Sequence, residues 1–218
     1  MTQTAAEVAE RWEQVARDAD DGVAQALIHP SGTAGPDAYR ETGRSQATDL
    51  TLLAFEHLEP RIEDHDRIAV LDYGCGDGRV LLELDPAVFL LWGTDTSPGM
   101  LDRVRARAGA LPKGGIPIEL HAPDALEGVT FQLVYCLAVL IHLGWNDGAD
   151  LVRQMASHVA PGGLLVLDVP LSASPEEGGT WISVTSWSPA RLELLAEVIG
   201  FELVPTDTVP WHVLRRPA

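Results

Sequence analysis

The sequence predicts an α/β fold: a doubly wound, mostly parallel sheet with an antiparallel C-terminal edge hairpin and an N-terminal helical cap. Three observations predict it. Short apolar runs alternate with helical periodicities from residue 68 to residue 199, the order that puts helices on both faces of a parallel sheet. The stretch from Ala69 to Val80 reads as a buried strand that stops at Asp72, turns through Gly74, Gly76 and Gly78, and enters a helix. Phe201–Val204 and Val209–Arg215 flank Pro205–Thr208 as an antiparallel pair closing the sheet.

Each element follows from local pattern. Val8, Trp12, Val15, Ala16, Ala19, Val23 and Leu27 recur at spacings of three and four, which predicts a helix over residues 4–28. A breaker-rich loop from His29 to Pro36 separates it from a helix over Asp37–Glu59. Ile68–Asp72 is the first strand, and Arg79–Leu84 continues the following helix until Pro86. Phe89–Thr94 is the second strand, Met100–Ala108 a helix, Leu111–Gly115 a turn and Ile116–Leu120 the third strand. Phe131–Cys136 reads as a fully buried fourth strand and Asp147–Val159 as a helix stopped by Pro161-Gly162-Gly163. Leu164–Val169 is the fifth strand, and residues 170–181 form a loop. Pro189–Ile199 is the last helix, with Ser188 as N-cap and Gly200 at its C-terminal end. The whole chain, residues 1–218, reads as one domain, with 1–60 as a cap and 61–218 as the core.

The glycine turn points to a cofactor. Alternating glycines admit positive φ and leave no Cβ to hold a ligand off the main chain. A strand, a glycine loop and a helix N-terminus in that order form a nucleotide-type seat. The second strand ends at Asp95, an acid able to accept from both ribose hydroxyls. Asp124, past the third strand, can accept from an exocyclic amine. The Gly-x-Gly-x-Gly spacing disfavours a nicotinamide dinucleotide site, and no Gly-Lys-Ser/Thr follows a glycine run to make a phosphate loop.

Four segments in this order resemble the class I S-adenosylmethionine-dependent methyltransferases. They are the loop Asp72–Gly78, the run Gly93–Leu101, the Asp124 turn, and Leu133–Leu143 followed by Pro161-Gly162-Gly163. The resemblance spans roughly residues 65 to 215. It implies a Rossmann-like, mostly parallel seven-stranded sheet that binds S-adenosyl-L-methionine and releases S-adenosyl-L-homocysteine. It implies that Asp72, Gly74, Cys75 and Gly76 hold the methionine part, that Asp95 binds the ribose, and that Asp124 meets the adenine amine. Thr96, Met100, Ala125 and Cys136 complete the implied cofactor wall. Tyr39 and Arg44 lie in a segment similar to one leading into the cofactor domain of some members, where they would meet the cofactor carboxylate or the acceptor. A helix-start tyrosine and a surface arginine is the competing account of that pair.

Composition narrows the acceptor. With 15 basic against 32 acidic residues and a net charge of −17, the chain is a poor partner for nucleic acid or an anionic membrane. Arg103, Arg105 and Arg107 read as a solvated helix face. Two cysteines and seven scattered histidines give neither a disulfide framework nor a metal site. No leader or apolar span is evident, so a cytoplasmic protein is expected. His142, after the fourth strand, is the candidate general base, although family members carry a similar Val-Leu-x-His-Leu run whatever they methylate, which keeps a packing role open. Trp12, Trp145, Trp181 and Trp187 are candidates for an apolar acceptor pocket.

The expectation is therefore methyl transfer to an oxygen or nitrogen of a small molecule or natural product, peptide-derived ones included. A peptide or protein methyltransferase, a binding protein that lost catalysis, and a cyclase-like enzyme on the same fold are the alternatives. Oligomeric state is not legible.

Overall fold

A computed structural model describes residues 3–18, 36–58, 67–111, 116–178 and 180–218. The expected continuation of the first helix to residue 28, the loop at 29–35 and the turn at 112–115 lie outside the described residues.

Two helices come first, α1 (Ala5–Asp18) and α2 (Pro36–His57). They precede β1 (Ile68–Tyr73), β2 (Phe89–Thr94), α3 (Pro98–Gly109), β3 (Ile118–His121), β4 (Phe131–Cys136), α4 (Trp145–Ser157) and β5 (Val159–Leu167). The chain ends with α5 (Pro189–Ile199), β6 (Glu202–Val204) and β7 (His212–Arg215). The seven strands form one sheet in the order β3-β2-β1-β4-β5-β7-β6. The first five are mutually parallel; β7 runs antiparallel to both β5 and β6. This is the Rossmann-like sheet the sequence predicts. Apolar side chains of α2 and α3 pack on one face around Leu50, Val70, Leu81 and Val104. Those of α4 and α5 pack on the other around Leu71, Val134, Met155 and Leu195. Burial on both faces explains why the central strands are nearly continuous apolar runs.

The caps follow the sequence. Ser97 accepts from Met100 N at 3.0 Å with Pro98 in the first turn, and Ser188 accepts from Arg191 N at 3.2 Å. Gly200 closes α5 in the left-handed conformation.

Three local expectations change. The segment after the glycine turn is not an α-helix: it holds one 3₁₀ turn, Leu81–Glu83, and Leu84 is already extended. Pro86 biases Asp85 away from helical geometry, and the few residues left are too short to propagate a helix. Leu81, Leu82 and Leu84 instead plug the core. The second change is at β5, which runs straight through Pro161-Gly162-Gly163 while α4 stops at Ser157. Register jumps from Phe131↔Val159 to Leu133↔Leu164, a bulge. Gly162 has φ +75 there, and its N–H donates to Arg216 O at 3.0 Å. The third concerns β4, where Gln132 is exposed; its Oε1 accepts from Ala69 N at 2.8 Å and ties β4 to the start of β1.

Both cysteines are buried free thiols. No described helix is long and apolar enough to cross a membrane. Among the described residues no cluster of three metal-ligating side chains occurs.

Candidate active site

In the strand order, β1 lies between β2 and β4, so successive connections leave it in opposite directions. A crevice opens beyond the carboxyl ends of the strands at such a switch point. Here it holds a cavity of about 190 Å³. Its lining includes Asp72, Gly74, Cys75, Gly76, Arg79, Asp95, Thr96 and Met100 from the glycine turn, the end of β2 and the start of α3, and Val8, Trp12, Val139, His142, Leu143 and Leu151 from α1 and the segments after β4.

The turn is shaped by contact as well as by backbone. Gly74 has φ +81, and a Cβ there would lie 2.4 Å from Val139 Cγ2. The end of β1 can therefore touch the turn after β4 only with glycine. Gly74 N and Cys75 N both donate to Thr94 O, at 2.8 and 2.9 Å, which pins the turn to β2. Across it, Ala138 takes φ +59, a costly conformation for a residue with a Cβ; its N–H donates to Asp168 Oδ2 at 3.2 Å.

Two acids face the cavity in different environments. Asp72 is buried and accepts from Tyr135 Oη at 2.9 Å. Burial pushes its pKa up to about 7, against the pull of the Tyr135 hydrogen bond and of Arg79. Asp95 accepts from Gly76 N and Ser97 N, each at 2.9 Å, and burial also raises its pKa. One carboxylate thus ties the glycine turn to the entry of α3.

His142 closes a 3₁₀ turn, Leu140–His142. Its ring lies 5.6 Å from the Trp12 ring, and its buried Nδ1 has no partner. Burial lowers its pKa below the ordinary histidine value, so the imidazole is neutral at physiological pH. Trp181 meets Trp12 edge to face at 5.1 Å. The other two candidate tryptophans go elsewhere. Trp187 is fully buried in the core, and Trp145 packs under Arg191 with its Nε1 donating to Ser186 O at 3.0 Å.

Not every sequence candidate reaches the cavity. Tyr39 is fully buried and its hydroxyl donates to Asp77. Arg44 lies on the outside of α2, paired with Glu83 at 3.2 Å. Asp124 and Ala125 are exposed on the 3₁₀ turn Pro123–Leu126, from which only Pro123 lines the cavity. Cys136 is buried at the end of β4; its neighbours Leu137 and Ala138 line the wall instead.

Three contributors escaped the sequence reading. Glu13 Oε2 accepts from Ser97 Oγ at 2.6 Å and Gly99 N at 3.0 Å, clamping α1 onto the first turn of α3. Arg107 turns inward from its helix to pair with Asp77 at 2.8 Å, so the expected solvated arginine face is only partly so. Arg79 lies buried at the cavity wall. Its signal in the sequence is a cation followed directly by Val80-Leu81-Leu82, all of which are buried.

This geometry coincides with a family match. A family model described as "Methyltransferase domain" matches residues 39–206. The chain belongs to the methyltransferase-domain family. S-adenosylmethionine is the cofactor of that family. Trans-aconitate 2-methyltransferase of Streptomyces coelicolor is 35% identical over 121 residues, covering 53% of this chain and 40% of that protein. The chain spans half or less of the length of each curated relative it matches. Among solved structures, magnesium protoporphyrin IX methyltransferase of Synechocystis, with bound S-adenosylhomocysteine, superposes with a TM-score of 0.68 at 18% identity. That match covers 97% of this chain and 99% of the other. The CcbJ methyltransferase of Streptomyces caelestis gives 0.57 at 23% identity over 81% and 95%. At these identities the structural matches establish the methyltransferase fold.

Proposed function

We propose that this protein is a cytoplasmic methyltransferase, with residues 1–218 forming one domain, that moves a methyl group from S-adenosylmethionine to an oxygen or nitrogen of a small molecule. One observation carries the reading: a single cavity is lined by the acid-flanked glycine turn, by His142 with its Nδ1 free of a partner, and by apolar residues of α1. The donor set suits this cofactor. Asp95 can accept from a diol, Asp72 can supply negative charge for an ammonium, and the apolar lining from α1 and the turn after β4 suits a methyl donor. When bound, the cofactor supplies an electrophilic methyl on a sulfonium.

The chain's own residues supply position, dryness and a proton acceptor. α1, clamped by Glu13, brings the apolar side chains of Val8 and Trp12 to the cavity. His142 is neutral at working pH, and Nδ1 takes the proton of an acceptor hydroxyl as its oxygen gains the methyl. The negative charge of the chain disfavours nucleic-acid acceptors. The relatives named for trans-aconitate and magnesium protoporphyrin accord with a small acceptor.

Methyl-labelled S-adenosylmethionine incubated with the protein and cell extract tests this. Label entering the small-molecule fraction is the expected result. Label in precipitable protein would replace this reading with a peptide methyltransferase, and no transfer despite tight cofactor binding would replace it with a binding protein.

Asp72 adds a pH dependence. Its pKa is raised to about 7, so the free protein carries a largely protonated carboxyl at pH 6. A bound ammonium favours the ionised form, and binding below pH 7 must then release a proton. S-adenosylhomocysteine affinity is expected to rise with pH between 6 and 8, by up to about tenfold per unit on the acid side. Tyr135→Phe removes a hydrogen bond to the carboxylate and should move the midpoint upward. Titration calorimetry across this range reads both; a pH-independent affinity would remove Asp72 from the site. Stability shows the opposite trend. A carboxyl whose folded pKa lies above its unfolded value of about 3.9 destabilises the free protein as pH rises from about 4 to 7.

A further inference from the structure

We infer that Arg79 anchors the carboxylate of an amino-acid-bearing nucleoside, the methionine or homocysteine end of the cofactor. This rests on the cofactor reading above and assigns a residue that the sequence candidates did not include.

Arg79 is 6% exposed and lines the cavity just after the glycine turn. A guanidinium keeps its charge and presents five donors in a fixed plane. Here Nη1 donates to Gln46 Oε1, a neutral acceptor, and the group lies 5.7 Å from the centre of the Tyr39 ring. Nε is buried with no hydrogen-bond partner. Among the described residues no carboxylate pairs with it. The nearest acid in sequence, Asp77, is already committed to Arg107 at 2.8 Å and to the Tyr39 hydroxyl. A buried guanidinium donor left without an acceptor is costly, so the arrangement suits an acceptor that arrives from outside.

Position selects the anion. Arg79 lies close enough to Asp72 and Asp168 to bias both towards their charged forms. An ammonium beside Asp72 and a carboxylate on Arg79 are the two charges of one amino-acid end. A carboxylate also matches the guanidinium fork with two parallel bonds. The fork is held ready by α2, which supplies Gln46 and Tyr39. The same helix packs so closely that a Cβ on Gly43 would lie 2.4 Å from Arg79 O. Arg44, on the outer face with Glu83, has no such access.

Calorimetry with two ligands separates anchoring from packing. S-adenosylhomocysteine carries the amino-acid end, whereas 5′-methylthioadenosine keeps the nucleoside and thioether without it. Arg79→Gln is expected to weaken the first about 10- to 100-fold and the second by no more than about threefold, with Arg79→Lys intermediate. Parallel losses on both ligands would make Arg79 a packing residue and overturn the inference. Unchanged S-adenosylhomocysteine affinity would also overturn it, including the case where the carboxylate comes from the acceptor and only the acceptor KM rises. A selective loss in Arg44→Gln instead would transfer the role to Arg44. If Arg79→Gln does not fold, Arg79→Lys with the same ligand pair decides. The wild-type protein must also bind the carboxamide of S-adenosylhomocysteine about tenfold or more weakly than the acid. Failure of both nucleosides to bind the wild type would sink the cofactor reading itself, a result distinct from any of these.

Discussion

Asp95→Ala is expected to weaken S-adenosylhomocysteine binding by about 1–3 kcal/mol, roughly 5- to 150-fold. Two losses combine. A ligand diol loses a charged acceptor in a site where water cannot fully replace it. The free protein also loses the carboxylate that joins Gly76 N to Ser97 N, so the turn and the start of α3 are no longer tied across the crevice. Asp95→Asn separates the two, because an amide oxygen can still accept one of these bonds without the charge. The asparagine variant should fall between wild type and alanine in affinity while melting closer to wild type. Calorimetry for affinity and thermal unfolding for stability read the pair. Wild-type affinity in the alanine variant would remove Asp95 from the ribose, and equal losses of affinity and stability in both variants would make its role purely structural.

The central strands of this fold were legible because β1, β4 and β5 are buried on both faces and so appear as short apolar runs between breakers. The acids at the ends of β1 and β2 were legible for a related reason, since a charge that abruptly ends such a run marks where the sheet opens to solvent. Ser188 and Gly200 declare the ends of α5 through local chemistry alone. Other features depend on partners far along the chain. Pro161-Gly162-Gly163 reads as a stop, yet β4 and β7 on either side carry the chain through it as a bulge. The segment after the glycine turn reads as a helix because Arg79–Leu84 contains good helix formers, and the plug it forms is set by the cavity of core that surrounds it.

The cavity divides in the same way. Its glycine-turn side comes from two short stretches, 72–79 and 95–100, whereas its ceiling is assembled from contacts between distant segments. Glu13 finds Ser97 across 84 positions, and Tyr39 finds Asp77 across 38. No spacing rule could pair these residues. Burial likewise decides that Arg107 turns inward to Asp77, and the run Arg103, Arg105 and Arg107 carries no sign in the sequence of which one does so.

His142→Ala should reduce turnover about 10²- to 10⁴-fold if the acceptor is a hydroxyl, while S-adenosylhomocysteine affinity stays within about threefold. The split follows from placement. His142 lines the cavity beside Trp12 of α1, on the turn after β4, whereas Asp72 and Asp95 stand at the ends of β1 and β2. Its buried Nδ1 has no partner to give up before taking a proton. Burial lowers its pKa, so kcat/KM in the wild type should show a second acid limb below the ordinary histidine value of about 6.5, in addition to the one set by Asp72. That acid limb should vanish in the alanine variant, leaving the limb set by Asp72 nearer pH 7. His142→Gln keeps a polar side chain of similar size and cannot act as a base, so it should be as slow as alanine. If glutamine restores turnover, the ring serves only to pack against Trp12. A neutral amine acceptor would give a third pattern, with both variants active and the acid limb following the amine, because such an acceptor needs only to be unprotonated before it attacks.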